Sequence, residues 1–177
     1  MATSSKIIYA FIDSQNLNLG VKNDIFDKNG VKIYSGWKLD FKKFYIYLRN
    51  KYDVSDAFLF IGKVSGNESL YTSLTSFGYK LEYKPTLIHF NSDGDPETKG
   101  NVDAELVLHT MIELSNFDQA IIVAGDGDYF CLIEYLEKIG KLLHVIIPNK
   151  FRYSKLLKPY TKYMIYVTDL KATLKFP

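Results

Sequence analysis

The sequence of 177 residues contains little cysteine and no long hydrophobic run. Cys131 is the single cysteine, so a disulfide within the chain is excluded, which suits a reducing compartment. No segment approaches the run of about 18 apolar residues that a membrane-spanning helix needs, and the first residues show no signal-peptide pattern. We therefore expect a cytoplasmic protein without a membrane partner.

Arginine is also scarce, because Arg49 and Arg152 are the only two arginines among 22 basic residues. The 20 acidic residues leave a net charge of +2, which neither requires nor excludes a nucleic-acid partner. Contacts to phosphate would therefore come mostly from lysine ammonium groups and less from bidentate guanidinium groups.

The rest of the composition is that of a globular protein, with 47% hydrophobic and 24% charged residues. These values exclude a disordered chain, a collagen-like chain and a coiled coil. The length fits one domain over residues 1–177, and no repeat or linker interrupts it.

Strand-like and helix-like segments alternate along the chain, which predicts βαβ units and a mainly parallel sheet. Short apolar runs predict strands at Ile7 to Ile12, Ala57 to Ile61, Tyr79 to Leu87, Gln119 to Ala124, Leu142 to Ile147 and Tyr163 to Val167. Pro85 should put its strand near an edge or an end, because proline cannot donate to a ladder. The pattern predicts a three-layer α/β domain with a four- to six-stranded sheet.

Capping residues and apolar spacing locate the helices between these strands. We predict one helix from Asp40 to Lys51, one from Glu68 to Phe77 that ends at Gly78, and one from Val102 to about Leu114 that Asn101 caps. A fourth helix follows the Asp126–Asp128 turn and continues to Ile139 before Gly140, and a short fifth helix lies near Tyr153 to Leu157. The polar segment His89 to Gly100 contains glycine and proline, and we interpret it as a loop.

Four aspartates fall where strands pass into helices. Asp13 follows the first strand, Asp126 and Asp128 follow the strand that ends at Ala124, and Asp103 lies in the first turn of a helix. Taken singly, each has a structural explanation as a helix cap, a dipole partner or a turn residue. Parallel neighbouring strands would bring all four to one sheet edge. Clustered carboxylates are tolerated only with a bound cation or with raised pKa values, and hard oxygen ligands favour Mg²⁺ or Mn²⁺.

Three segments resemble the motifs of the NYN domain family, a member of the PIN-like nuclease superfamily. Phe11-Ile12-Asp13-Ser14-Gln15-Asn16 is similar to the family's F-I-D-x-x-N opening. Lys99-Gly100-Asn101-Val102-Asp103 resembles its K-G-x-D segment with one residue inserted, and Gly125-Asp126-Gly127-Asp128-Tyr129 resembles the G-D-S-D-F part of its S-G-D-S-D-F signature. The motif-bearing core spans about residues 6–147, and residues 148–177 would complete the domain with a basic helix and a final strand.

The resemblance implies a three-layer α/β/α, PIN-like (Rossmannoid) fold and a metal-dependent endoribonuclease. Its metal-site and catalytic acids correspond to Asp13, Asp103, Asp126 and Asp128, with Mg²⁺ or Mn²⁺ as the cofactor. Asn16 corresponds to an asparagine that supports the site through hydrogen bonds and is a candidate for substrate binding. Two departures are Ser14 in place of a glycine and His109 where many relatives have a further aspartate. The polar face of its helix suggests that His109 is solvated or pairs with a carboxylate, with a metal or phosphate contact as the alternative.

The segment Lys150 to Tyr163 interleaves basic and aromatic residues, a pattern that suits RNA because lysine tracks phosphates and aromatic rings stack on unpaired bases. We predict that Arg152 and Lys155 bind the substrate, and that Lys99 approaches the scissile phosphate. The expected partner is single-stranded or structured RNA, and a homodimer is left open.

Two other functions compete with the nuclease. One is an inactive RNA- or protein-binding module of the same fold, which the departures at Ser14 and His109 favour. The other is an aspartate-nucleophile phosphatase, but this chemistry usually needs Asp-x-Asp after the first strand, and Asp13-Ser14-Gln15 lacks it. Dinucleotide binding is weaker still, because no G-x-G-x-x-G follows that strand.

Overall fold

The structure is a computed structural model that describes residues 6–85, 87–90, 96–99 and 102–177. Six parallel strands form its central sheet. Across the sheet they lie in the order β10 (Met164–Tyr166), β9 (Leu142–Ile147), β8 (Gln119–Val123), β1 (Ile8–Asp13), β4 (Val54–Lys63) and β5 (Lys80–Pro85). The predicted mainly parallel sheet is confirmed.

Helices and short 3₁₀ turns connect these strands. The α-helices are α1 (Ser14–Lys22), α2 (Phe41–Tyr52), α3 (Glu68–Phe77), α4 (Asp103–Ile112), α5 (Phe130–Lys138) and α6 (Lys171–Leu174). The 3₁₀ segments are Glu113–Ser115, Gly127–Tyr129, Lys155–Tyr163 and Val167–Leu170. Two antiparallel pairs lie outside the sheet: β2 (Ile25–Phe26) with β3 (Lys32–Tyr34), and β6 (Leu87–Phe90) with β7 (Pro96–Lys99).

The sheet is buried on both faces, and this burial creates the three layers. Alternate residues of β1 point to opposite faces, so Ile12 belongs to one apolar cluster and Phe11 to the other. The first cluster contains Leu17 of α1 and Leu48 of α2, and the second contains Leu106 of α4. The predicted three-layer α/β fold is therefore confirmed, with helices covering each face of the sheet.

Local signals in the sequence set the limits of two predicted helices. Asp40 precedes α2, and its Oδ1 accepts a hydrogen bond from the Lys43 backbone N–H at 3.1 Å. Gly78 ends α3 in the left-handed region at φ = +110°, a conformation that glycine adopts without strain. The strand that contains Pro85 is β5, at the edge of the sheet, as its proline predicts.

The prediction of a loop from His89 to Gly100 is partly wrong. Residues 87–90 and 96–99 pair as antiparallel strands, while Asn101, the predicted cap of α4, lies outside the described residues. The polar composition of this segment does not indicate strands, because cross-strand pairing depends on contacts that composition does not encode.

A second difference lies in the basic segment near the end of the chain. Lys155–Tyr163 forms a kinked 3₁₀ segment in place of the predicted helix at Tyr153 to Leu157. Pro159 lies inside it and lacks the backbone N–H that a regular helix would need.

Among the described residues, no helix combines the length and apolar character required to cross a bilayer.

Candidate active site

The strand order creates a crevice at the carboxyl edge of the sheet. From β1 the chain adds β4 and β5 on one side and later β8, β9 and β10 on the other. The strand order therefore reverses next to β1, which is a topological switch point. Loops that leave neighbouring strands in opposite directions open a crevice at such a point, and ligands bind there in α/β folds. Asp13 is the last residue of β1, and Asp126 follows β8 by three residues. Both side chains therefore lie at the crevice.

Asp13 is buried at the floor of this crevice, with 5% of its surface exposed. Its Oδ1 accepts a hydrogen bond from the Asn16 backbone N–H at 2.9 Å and thereby caps α1. Burial raises the pKa of Asp13, and the nearby charge of Asp103 raises it further, whereas hydrogen bonds from Asn16 and Tyr129 oppose the shift.

Tyr129 joins Asp13 to Asp103. Its hydroxyl lies 2.9 Å from Asp13 Oδ2 and 2.5 Å from Asp103 Oδ1, and its ring is completely buried. Burial and these two carboxyl groups raise the pKa of Tyr129, so the hydroxyl stays protonated. One hydroxyl has one proton to donate. The second contact is therefore a hydrogen bond only when the carboxyl group carries a proton of its own.

Asp126 and Asp128 lie on the exposed turn that follows β8. Asp126 Oδ1 accepts a hydrogen bond from the Asp128 backbone N–H at 3.3 Å, so the Asp126 side chain caps the 3₁₀ segment that follows it. The charge of Asp126, followed by the hydrogen bond and charge of Asp103, raises the pKa of Asp128. Asp128 thus interacts electrostatically with Asp103 and Asp126, and Asp103 interacts with Asp13. The four predicted acids form one chain of interacting carboxyl groups.

Asn16 connects the two loops that carry these acids. Its Oδ1 accepts a hydrogen bond from the Gly125 backbone N–H at 2.8 Å, which ties the start of α1 to the turn after β8. The family resemblance implied such a supporting hydrogen bond. Asn16 also lines the adjoining cavity, so its predicted contact with substrate remains a prediction.

A cavity of about 970 Å³ opens over Asp13, Asp103 and Asp126. It is also lined by Phe151, Arg152 and other residues of segment 148–154. Lys155 is exposed on the neighbouring 3₁₀ segment and does not line the cavity. Lys99 is the last residue of β7, and its side chain lies outside the described residues.

His109 packs away from the cavity. Its ring centroid lies 4.7 Å from that of Phe58, and its Nδ1 lies 3.8 Å from Glu82 Oε2. The carboxylate pairing predicted for this residue is the arrangement found. The substitution of a histidine at this position therefore removes no side chain from the acidic cluster.

The donors suit a hard divalent cation in chemistry and charge. The four carboxyl groups provide oxygen ligands, and the raised pKa of Asp128 reflects the negative charges of Asp126 and Asp103 beside it. The geometry is less complete, because the described residues include no group of three Asp, Glu, His or Cys side chains arranged to hold a metal ion. Tyr129 already engages one oxygen each of Asp13 and Asp103.

The fold and the site define an α/β domain with an acidic cavity at the carboxyl edge of a parallel sheet. The model of the NYN domain family matches residues 8–168. The chain belongs to this family, which generally comprises nucleases that are typically metal-dependent.

One solved structure shows the same fold at low sequence identity. It is the crystal structure of a protein of unknown function from Vibrio parahaemolyticus, with a TM-score of 0.69 and 19% identity. The match covers 98% of this chain and 99% of that chain. No curated protein matches the sequence. The structural likeness therefore supports the architecture, and the family supports the nuclease class.

Two features of the site were not predicted from the sequence. The first is the bridging hydroxyl of Tyr129, which stands where the family signature has phenylalanine. The second is Asn149, a buried polar residue that anchors the segment lining the cavity. The tyrosine could have been noticed as a departure from the signature, whereas no local pattern marks the asparagine.

Proposed function

We propose that this protein is a metal-dependent endoribonuclease that hydrolyses phosphodiester bonds in RNA. The observation that carries the proposal is the convergence of Asp13, Asp103 and Asp126 on one cavity that also contains Arg152. Membership of a nuclease family supports the same reaction class. The lone cysteine, Cys131, is exposed, which fits a reducing compartment, and we propose the cytoplasm.

The proposed cation ligands are Asp13, Asp103, Asp126 and Asp128, with Mg²⁺ or Mn²⁺ as the ion. When bound, such an ion lowers the pKa of a coordinated water and offsets charge on the phosphoryl oxygens. Asn16 holds the two acid-bearing loops together, and Tyr129 holds Asp13 next to Asp103. A carboxylate of this cluster can accept a proton from the attacking water.

The basic side chains in the proposal balance the charge of the substrate. An RNA phosphate that approaches four carboxyl groups is repelled by them. Arg152, which also lines the cavity, supplies a guanidinium group that can bind phosphate oxygens in bidentate fashion. We retain Lys99 and Lys155 as further substrate contacts, proposed from the sequence.

The test is cleavage of a labelled single-stranded RNA with Mg²⁺ or Mn²⁺ by the wild type and by Asp126→Asn. We expect the variant to lose at least about 10-fold in rate, because the loss of a metal ligand should cost no less than the loss of an outer-shell partner. Glu134→Gln is the matched control, since Glu134 is an exposed carboxylate on α5 outside the cavity lining. Equal rates for the wild type and Asp126→Asn would exclude the acids as the source of activity.

A second candidate is an inactive RNA- or protein-binding module of the same fold. The observation that favours it is the engagement of Asp13 and Asp103 by the Tyr129 hydroxyl, together with the lack of a ready three-ligand group among the described residues. Binding of RNA without cleavage at any concentration of Mg²⁺ or Mn²⁺ would select this candidate.

A further inference from the structure

One short segment, residues 148–154, contributes several residues to the lining of the cavity. Pro148, Phe151, Arg152, Tyr153 and Ser154 all line the cavity. The segment follows β9 at the carboxyl edge of the sheet. It therefore faces the same crevice as Asp13 and Asp126 and could contact whatever binds there.

A buried amide fixes this segment to α1. Asn149 is completely buried, and its Nδ2 donates a hydrogen bond to the Gly20 carbonyl oxygen at 2.8 Å. Its Oδ1 accepts a hydrogen bond from the Phe151 backbone N–H at 3.0 Å. Both ends of one side-chain amide are thus used, and the backbone at Phe151 is held relative to α1.

Glycines allow this close packing on both sides of the segment. A Cβ atom on Gly20 would lie 2.6 Å from Pro148 Cβ, and one on Gly127 would lie 2.5 Å from Ser154 Oγ. The Ser154 backbone N–H also donates to the Gly125 carbonyl oxygen at 2.9 Å. The segment is therefore held both to α1 and to the acid-bearing turn after β8, so its position is set before any ligand arrives.

Phe151 presents an aromatic ring at the mouth of the cavity. Phe151 is 47% exposed, although Asn149, two residues earlier, is completely buried and accepts a hydrogen bond from the Phe151 backbone N–H. The Phe151 ring centroid lies 6.1 Å from that of Tyr34 and 5.5 Å from the ammonium group of Lys150, which also pairs with Asp169. A large aromatic residue is thus partly exposed to solvent at the cavity, an arrangement that suits stacking by a nucleobase.

Arg152 has a guanidinium group without a partner among the described residues. It is exposed and lines the same cavity as the carboxyl groups of Asp13, Asp103 and Asp126. The other arginine differs, because Arg49 Nη1 donates to the carbonyl oxygens of Val54 and Ser55 at 2.8 and 3.1 Å. Arg49 supports the fold, whereas Arg152 remains available to an anion.

We propose that Phe151 and Arg152 form a subsite for one unpaired nucleotide, with the base stacked on the Phe151 ring and an adjacent phosphate bound by Arg152. The inference rests on the proposed function, because it places this nucleotide beside the scissile phosphate. A base within a duplex has both faces covered by its neighbours and cannot stack on the ring. The subsite therefore selects single-stranded RNA over a stem of the same sequence.

The first test measures binding by fluorescence anisotropy, with a chelator present so that cleavage does not interfere. The probe is a fluorescein-labelled single-stranded RNA of eight nucleotides, compared with a hairpin stem of the same composition. Phe151→Ala should weaken binding to the single strand by about 5- to 150-fold, the range measured for a stacked base. Phe151→Trp should bind the single strand at least as tightly as the wild type does. Neither Phe151 variant should alter the weak binding to the stem.

Phe176→Ala is the matched control, because Phe176 is 43% exposed and lies beside a lysine, Lys38, but does not line the cavity. It should bind the single strand as the wild type does. Arg152→Ala should lower the dependence of log affinity on log salt by about 0.7, the value for one contact to a single-stranded phosphate. Lys171→Ala, an exposed lysine outside the cavity lining, should leave that slope unchanged.

A thermodynamic cycle then tests the stacking itself. One abasic nucleotide is moved along the RNA, and at one position its effect should match that of Phe151→Ala, with no further loss when both changes are combined. Additive losses at every position, or equal binding by Phe151→Ala and Phe176→Ala, would overturn the subsite, as would a failure of the wild type to bind RNA. If RNA binding behaves as predicted but no cleavage occurs, the proposed nuclease activity is excluded and the proposed subsite is supported.

Discussion

The Tyr129 hydroxyl lies 2.5 Å from Asp103 Oδ1, a contact between the 3₁₀ turn after β8 and the first residue of α4. The same hydroxyl reaches Asp13 at the end of β1. A phenolic group that bears one proton thus holds two acids from distant parts of the chain at the floor of one cavity. Repulsion between the two carboxylates would otherwise favour their separation.

Removal of this hydroxyl should destabilise the protein. Tyr129→Phe leaves Asp13 Oδ2 without its buried hydrogen-bond donor, at an expected cost of about 1–3 kcal/mol in the free energy of unfolding. The loss should be smaller near pH 4 than at pH 7, because protonation of Asp13, whose pKa burial raises, removes the repulsion between its carboxylate and Asp103. Urea unfolding at both pH values measures the difference.

Tyr135→Phe provides the control for this change. Tyr135 lies on α5 and is 40% exposed, so loss of its hydroxyl should leave the free energy of unfolding within about 0.5 kcal/mol of the wild type. A value for Tyr129→Phe as small as that of the control would show that the bridge contributes nothing.

The raised pKa of Asp13 predicts a specific dependence of stability on pH. The folded protein binds the Asp13 proton more tightly than the unfolded chain does, because burial penalises the carboxylate. This contribution is fully present below the unfolded pKa and is lost as the pH rises through the folded pKa. Asp13→Asn should therefore be more stable than the wild type at pH 7, and the difference should shrink towards pH 4.

The amide in this variant keeps the other functions of the side chain. Asparagine caps helices as well as aspartate does, and its amide can donate to the Tyr129 oxygen as a protonated carboxyl would. Urea unfolding of both proteins across pH 4 to 8 supplies the curves. A wild type that is more stable than Asp13→Asn at pH 7 would mean that the carboxylate is stabilised in the fold.

The anchor at Asn149 should contribute to stability as well as to the position of the cavity wall. Asn149→Ala leaves the Gly20 carbonyl oxygen and the Phe151 backbone N–H without their partner. We expect a loss of about 1–3 kcal/mol in chemical denaturation, together with weaker RNA binding. Asn50→Ala, at an exposed position on α2, should change neither quantity, and an equal effect of the two variants would exclude the anchor.

Much of the fold could be predicted because its signals are local. The buried strand that ends at Val123 reads as a continuous apolar run, and Asp40 and Gly78 mark helix limits by the chemistry of their own side chains and backbone. The β6–β7 pair could not be predicted, because pairing depends on which segments meet in space. The small β2–β3 pair also escaped notice for this reason.

The site was only partly predictable. Asp13, Asp103, Asp126 and Asp128 were identified because each sits at an element boundary, and the parallel sheet brings those boundaries together. The role of Tyr129 is not visible in the sequence, since a buried aromatic residue after a turn usually indicates core packing. Asn149 escaped notice because its two hydrogen bonds depend on the close approach of Gly20.

The most direct test of the account is to locate the cation itself. Crystals soaked in Mn²⁺ and measured at its absorption edge give an anomalous difference map that marks the ion without reference to activity. We predict a peak within coordination distance of carboxylate oxygens from Asp126 and from at least one of Asp13, Asp103 and Asp128. A map without a peak at this cavity, at Mn²⁺ concentrations that support cleavage by other nucleases, would contradict the account.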